Sequence, residues 1–340
     1  MMPRGTATTR RGSRWSAVAL AICLIQMACS TDDGGGTPTQ PAGPISQTAA
    51  AYLDQLLGLM QSNSINRLTI DWNGFRANVL ARAAGAQSIP DTYPAIRVAL
   101  TLLADGHSSY RTPTGSVIFV PNRTCTGSGA ATPTPPSTIG YVRVGSFSGS
   151  GSAATAFANG IQNTIIAADK DGLLGWIVDV RGSGGGNMWP MIAGVGPVLG
   201  DGLLGYFVDP LGAQSFWELS DGASSVNGFV QARVDTPYRL RHERPKVAVL
   251  TDNAVASSGE ATVIAFRQRA DTRSFGVSTC GLSTSNVGFG VSDGATLILT
   301  TSVMADRTRM KYGDSIQPDE TVTDPFEAVQ RAIAWLQAVN

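Results

Sequence analysis

Past residue 45, apolar residues first recur at spacings of three and four: Ala50, Leu53, Leu56, Leu57 and Met60 form one stripe, and Ile96, Val98, Ala99, Leu102 and Leu103 another. That period keeps apolar side chains on one face of an α-helix. It predicts a small helical N-terminal domain over 46–110, ending at the glycine-containing break Asp105-Gly106-His107-Ser108-Ser109-Tyr110. The segment 111–138 is rich in Pro, Thr and Gly, with one strand expected at 116–120 and loop at 133–136. From there on, short apolar runs alternate with helical stretches. Strands are predicted at 140–144, 174–180, 205–208, 229–234, 246–251 and 296–303, and helices at 152–169, 257–269 and 325–338. Trp176-Ile177-Val178 and Val247-Ala248-Val249-Leu250 are apolar throughout, as strands covered on both faces are, so 111–340 reads as α/β with a mostly parallel sheet flanked by helices. No internal repeat is visible.

The first residues follow a different logic. Arg4, Arg10, Arg11 and Arg14 lead into the apolar run Trp15 to Met27, which is too short to span a bilayer as a mature helix and reads as a targeting segment over 1–29. The run closes on Ala28-Cys29-Ser30, which resembles a bacterial lipobox whose cysteine is lipidated, although Gln26 stands where Leu is usual. A plain cleaved signal peptide is the alternative, and either one exports the chain. Residues 30–45, mostly Gly, Thr, Pro and Asp, read as a flexible tether. The expected location is the bacterial cell envelope, lipid-anchored, or the exterior, with membrane contact only through the N-terminal lipid.

Composition narrows the partners. The 340 residues are 43% hydrophobic, enough for a sizeable core. Lys plus Arg equals Asp plus Glu at 25 each, so no net field draws the chain to nucleic acid or an acidic membrane. Cys125 and Cys280 remain beyond the tether; in an oxidising envelope they either pair or stand as two separate buried thiols. Neither a Cys/His cluster nor a carboxylate pair at ligand spacing is present, so no metal and no cofactor are expected.

Two loops carry candidate chemistry. The run Val247 to Thr251 passes through Asp252-Asn253-Ala254-Val255-Ala256 into Ser257-Ser258-Gly259-Glu260 at the start of a helix. Free amides and the positive helix end can hold an oxyanion beside an attacking serine there. The competing use is a capping box, Ser257 or Ser258 with Glu260. The other loop, Gly182-Ser183-Gly184-Gly185-Gly186-Asn187, follows the strand Trp176 to Arg181 and precedes a helix. Consecutive glycines let backbone N–H groups approach a ligand. A phosphate loop is the rival use, but the Lys-Ser/Thr ending and the dinucleotide spacing are missing.

Together, Asp-Val-Arg-Gly-Ser-Gly-Gly-Gly after a strand and Ala-Ser-Ser-Gly-Glu opening a helix resemble the paired motifs of the C-terminal processing and tricorn-core serine peptidases, over roughly residues 46–325. The resemblance implies a crotonase-like ββα spiral catalytic domain and a peptide-binding cleft. It implies Ser257 as nucleophile, three residues before Glu260, with oxyanion donors at Gly184 or Gly185 and at Ser258. The family divides by its base. The processing branch places a lysine where this chain has Leu282, whereas the tricorn-like branch uses a histidine in a setting like that of His107. The only other histidine, His242, lies in a charged run and reads as a surface residue.

The tricorn-like branch also carries a glutamate where this chain has Tyr312. Asp306, Asp314 and Glu260 are then the candidates for the acid that orients His107, with the Tyr312 hydroxyl or a bare Ser-His dyad as alternatives. The 111–138 segment is too short for the PDZ module that processing proteases commonly insert. The implied activity is hydrolysis of peptide bonds in envelope or extracellular proteins or peptides. A silent peptide- or lipophile-binding protein on the same fold, or an esterase or amidase, is the competing reading.

Overall fold

The computed structural model describes residues 43–129 and 131–338. The targeting segment, Cys29 and residues 30–42 of the tether lie outside the described residues. Everything described belongs to one compact unit.

The chain begins with three helices, α1 (Gln47–Asn63), α2 (Trp72–Arg82) and α3 (Tyr93–Leu102). Ser46 caps α1 by accepting from the Ala49 N–H at 3.2 Å. The stripe seen in the sequence is buried: Leu53, Leu56, Leu57 and Met60 of α1 pack with Phe75, Val79, Ile96 and Leu100. Tyr110, Leu297 and Leu299 belong to the same core, so the helices close onto sheet rather than onto one another alone.

After α3 the order is β1 (Ser109–Arg111), β2 (Val117–Phe119), β3 (Ile139–Arg143), α4 (Gly151–Ala168), β4 (Gly175–Asp179) and α5 (Met188–Leu199). Then follow β5 (Gly202–Val208), β6 (Gln214–Ser220), β7 (Ala223–Val226), β8 (Phe229–Arg233), β9 (Val247–Thr251) and α6 (Ser258–Phe266). The chain finishes with β10 (Thr272–Gly276), β11 (Thr284–Gly290), β12 (Thr296–Asp306), β13 (Glu320–Thr321) and α7 (Pro325–Gln337). The result is a mixed α/β protein with a helical N-terminal part.

One sheet has the order β13-β10-β9-β4-β3, and its neighbours are parallel throughout. Alternation along its strands splits its two faces. Trp176, Val178, Val247 and Val249 meet α4, α5 and α6, while Ile177, Ala248, Leu250 and Phe275 meet α7. Helices on both faces explain why these strands read as unbroken apolar runs.

The second sheet corrects the expectation of a mostly parallel architecture. It has eight strands in the order β2-β1-β12-β5-β6-β7-β8, with β11 on the other side of β12, and its ladders are antiparallel. β8 is largely exposed and β6 only partly buried, so their sequences lack the apolar continuity that marked the first sheet. At one end of the parallel sheet β4 and β9 release the two loops singled out above.

Candidate active site

The β9 strand ends at Thr251, and the chain turns through 252–256 before α6 starts at Ser258. Ser257 sits at that junction with φ 54° and ψ −117°, a left-handed conformation that side-chain-bearing residues rarely adopt. Such a residue costs about 1–3 kcal/mol and persists only where its surroundings over-determine it. Here they do. The Ser257 N–H donates to Glu260 Oε2 at 2.9 Å, and the Ala256 N–H donates to the Ser183 carbonyl at 3.0 Å. The turn presents the Ser257 hydroxyl, half-buried, to His107: Nε2 to Oγ is 3.0 Å.

His107 comes from the break after α3. Asp105 builds that turn, its Oδ1 accepting from the N–H groups of His107 at 2.9 Å and Ser108 at 2.7 Å. Asn286 on β11 donates to the His107 carbonyl at 3.3 Å. On the far side of the ring, Nδ1 lies 2.7 Å from Thr284 Oγ1, the first residue of β11. Burial pulls the imidazole pKa down to about 4, with Asp105 acting weakly against it. The ring is therefore neutral at neutral pH. With Nδ1–H donating to Thr284, Nε2 is left as an acceptor for the serine proton.

The glycine loop leaves β4 next to Ser257. Arg181 forks onto Asp179 (Nε to Oδ1 2.8 Å, Nη2 to Oδ2 2.7 Å), and Asp252 accepts the Gly182 N–H at 3.0 Å, which ties this loop to the serine turn. Gly185 has φ +98°, and a Cβ there would stand 2.7 Å from the Ala256 carbonyl, 2.8 Å from the Ser258 nitrogen and 2.9 Å from the Ser257 Cβ. Only glycine fits that approach. Among the described residues neither the Gly185 nor the Ser258 N–H has a partner, and both lie beside Ser257. Ser258 turns its own hydroxyl away, donating to the Gly186 carbonyl at 2.7 Å. Gly184 does not join them, which corrects the sequence expectation: its N–H is held by Ser146 Oγ at 2.8 Å.

None of the three acids expected beside His107 is bonded to it. Asp306 accepts from the Thr308 N–H and from the Tyr312 hydroxyl at 3.0 Å, so the tyrosine is engaged there too. Asp314 pairs with Arg123 at 2.6 Å. Glu260 lies beneath the nucleophile turn and accepts four bonds: Ser257 N–H, Thr279 Oγ1 at 2.5 Å, Gly281 N–H at 2.9 Å and Leu282 N–H at 2.7 Å. Burial pushes its carboxyl up to about 7 against the pull of those donors. The ring's partner is instead Thr284, which the sequence did not single out. In the run Ser278 to Thr284 four hydroxyl residues look alike, and only register along β11 tells Thr284 apart.

Cys125 and Cys280 are joined by a disulfide with a Cα–Cα distance of 5.2 Å. His242 is exposed. Among the described residues no helix is long and apolar enough to cross a membrane.

The fold and site define an α/β protein that sets a hydroxyl between an imidazole and two bare amides. The chain belongs to peptidase family S41, whose model matches residues 138–322, more than half of its length. A nisin-resistance protein of Lactococcus lactis subsp. lactis is 31% identical over 193 residues, which cover 56% of this chain and 58% of that protein. The match thus takes in less than two thirds of that relative. Two solved structures share the fold. A lipoprotein from Streptococcus agalactiae superposes with a TM-score of 0.67 at 21% identity, covering 85% of this chain and 97% of that one. The photosystem II D1 C-terminal processing protease does so with a TM-score of 0.54 at 16% identity, covering 84% and 97%.

Proposed function

We propose that this chain is a serine endopeptidase acting on envelope or extracellular peptides and proteins. The observation that carries the reading is the 3.0 Å contact between His107 Nε2 and Ser257 Oγ, beside two unpartnered N–H groups. Ser257 Oγ attacks the scissile carbonyl carbon while His107 Nε2 takes the hydroxyl proton. The carbonyl oxygen becomes an oxyanion held by the N–H groups of Gly185 and Ser258. On collapse the C–N bond breaks, and His107 returns the proton to the leaving amine. Water then repeats the sequence on the acyl-enzyme, regenerating Ser257. Thr284 keeps the imidazole in the required tautomer and orientation, the task an acid performs in a Ser-His-Asp triad.

In this reading the helical part 46–110 supplies His107 and the α/β part 111–340, a crotonase-like spiral, supplies Ser257 and the oxyanion donors. Cys29 is lipidated after export. The Streptococcus agalactiae structure is described as a lipoprotein and the Lactococcus relative is named for resistance to nisin, both of which support a place at the envelope.

Treatment with a serine-directed fluorophosphonate tests the assignment. The parent protein is expected to label, and Ser257→Ala and His107→Ala are expected to lose labelling. Persistent labelling of Ser257→Ala moves the nucleophile elsewhere. No labelling of the folded parent protein favours a non-catalytic binder on the same fold.

A further inference from the structure

The segment between β2 and β3 touches all three turns that build the site. At one end the Asn122 side chain packs onto Gly106, next to His107, and donates weakly to the Ala104 carbonyl at 3.4 Å. In the middle, Arg123 lies against Gly281 and pairs with Asp314, and Cys125 is bonded to Cys280. At the other end the Thr126 N–H donates to Asn253 Oδ1 at 3.1 Å, and Ser128 donates through both N–H and hydroxyl to Asp252 Oδ2 at 2.9 Å. Residues 121–129 are exposed and carry no helix or strand. Their place is therefore set by these ties, of which the disulfide is the covalent one.

The Cys280 end of that bond is buried in the loop that matters most. Thr279, Gly281 and Leu282 donate three of the four bonds to Glu260, which in turn holds the Ser257 N–H, and two residues beyond Leu282 comes Thr284 on the His107 ring. The Cys280 N–H donates to the Val255 carbonyl at 2.8 Å, inside the turn that precedes Ser257. Cys280 is thus linked to Ser257 through the bonds of Gly281 and Ser257 to Glu260, and to His107 through the short run that ends at Thr284, while Cys125 lies in the exposed segment.

The geometry points to the Cys125–Cys280 disulfide as a positioning element of the active site, and to its reduction as a reversible brake on the peptidase. The inference rests on the serine-peptidase reading above. A dithiol supplies two electrons and two protons: its thiolate attacks the sulfur of the exposed Cys125, the S–S bond breaks, Cys280 leaves as thiol, and the mixed disulfide resolves to give Cys125 thiol and oxidised reagent. With the bond open, segment 121–129 loses its covalent cross-link and is left with noncovalent ties such as the Arg123–Asp314 pair and the Ser128 bonds to Asp252. The loop from Cys280 to Thr284 is then free to shift, and water reaches the imidazole. The charge that acts on that ring is Asp105 on its own turn, while Glu260 beneath Ser257 has its carboxyl pushed up to about 7, so wetting moves the imidazole's titration up from about 4 toward the ordinary 6.5.

The test compares fluorophosphonate labelling of the oxidised protein, the dithiothreitol-reduced protein and a Cys125→Ser/Cys280→Ser variant, from pH 4 to 8. The expected result is at least tenfold slower labelling on reduction, an acid limb displaced toward pH 6, full recovery on reoxidation, and a double variant that behaves as reduced and ignores reductant. Reduced protein that keeps its circular dichroism and labels at the same rate with the same acid limb overturns the inference. If reduction or the double substitution unfolds the chain, Asn122→Ala in the oxidised protein replaces it: a displaced acid limb supports the coupling, and an unmoved one rejects it. Failure of the oxidised parent protein to label would instead reject the peptidase reading itself.

Discussion

His107 Nε2 and Ser257 Oγ stand 3.0 Å apart although 150 residues separate them in the chain. The contact depends on two unrelated local devices. One is the Asp105 turn that stops the helical region, and the other is the left-handed backbone of Ser257 at the mouth of α6. The Ser257 turn is not explained by stability, since it is itself costly. Joined, they produce a hydroxyl with an imidazole on one side and free amides on the other.

Ser257 and Ser258 are adjacent hydroxyls, and the structure gives them different partners. Ser258 Oγ is committed to the Gly186 carbonyl at 2.7 Å. Ser258→Ala keeps the backbone N–H and is expected to retain labelling within about tenfold of the parent, the worth of one ordinary hydrogen bond. Ser257→Ala is expected to lose it altogether. Equal losses in the two variants, measured by labelling rate, would contradict the assignment.

The base should work in acid. The proposed mechanism requires neutral His107, and its pKa is lowered by burial to about 4. The pH profile of kcat/KM on a peptide substrate is therefore expected to rise through about pH 4 and stay level through neutrality, instead of rising near 6.5. The same shift acts on stability. The unfolded chain takes up a proton at about 6.5 and the folded one only at about 4, so between those values the unfolded state holds more protons. This group's contribution to stability accordingly falls as pH drops from 6.5 to 4. His107→Gln is expected to lose that part of the pH dependence in urea titrations.

How much of this was legible beforehand depended on the physics of each part. The β4 and β9 strands could be read because α4, α5, α6 and α7 cover both faces, leaving no polar positions to interrupt Trp176 to Val178 or Val247 to Leu250. The turn at Ser257 and the loop at Gly185 could be placed because strand, polar or glycine run and helix start follow one another locally, whereas His107 was singled out only by the family resemblance. The antiparallel sheet was not, since strands such as Gln214–Ser220 are half exposed and mix charged, hydroxyl and aromatic residues. Thr284 was hidden for another reason. Its role depends on β11 pairing with β12 and running past the His107 turn, a long-range fact with no local pattern. The acids were misplaced by the same reasoning, because Asp306, Asp314 and Glu260 each have nearer donors to satisfy.

Thr284 offers a neutral oxygen where a carboxylate would stabilise the imidazolium, so its removal should cost less than loss of an acid. Thr284→Val preserves shape and removes the 2.7 Å contact to Nδ1. The expected effect is a fall in kcat of about tenfold with KM little changed, corresponding to one hydrogen bond of about 1–1.5 kcal/mol. Thr284→Ser should recover most of the rate. A Val variant with unaltered kcat would show that the ring is held by packing alone.

Gly185 is the position where space and chemistry coincide. Its φ of +98° and the contacts a Cβ would make, at 2.7 to 2.9 Å with Ala256, Ser258 and Ser257, leave no room for alanine unless the serine turn moves. Gly185→Ala is therefore expected to destabilise the fold by roughly 1–3 kcal/mol. It should also displace the N–H that holds the oxyanion in the proposed mechanism, lowering kcat by about a hundredfold or more. Gly184→Ala makes the contrast: φ there is ordinary, the nearest neighbour of an added Cβ is Ser146 Oγ at 3.8 Å, and its N–H already serves that hydroxyl. It is expected to keep both stability and rate. Parallel urea titrations and labelling rates of the two variants check this, and equal sensitivity at 184 and 185 would remove Gly185 from the oxyanion site.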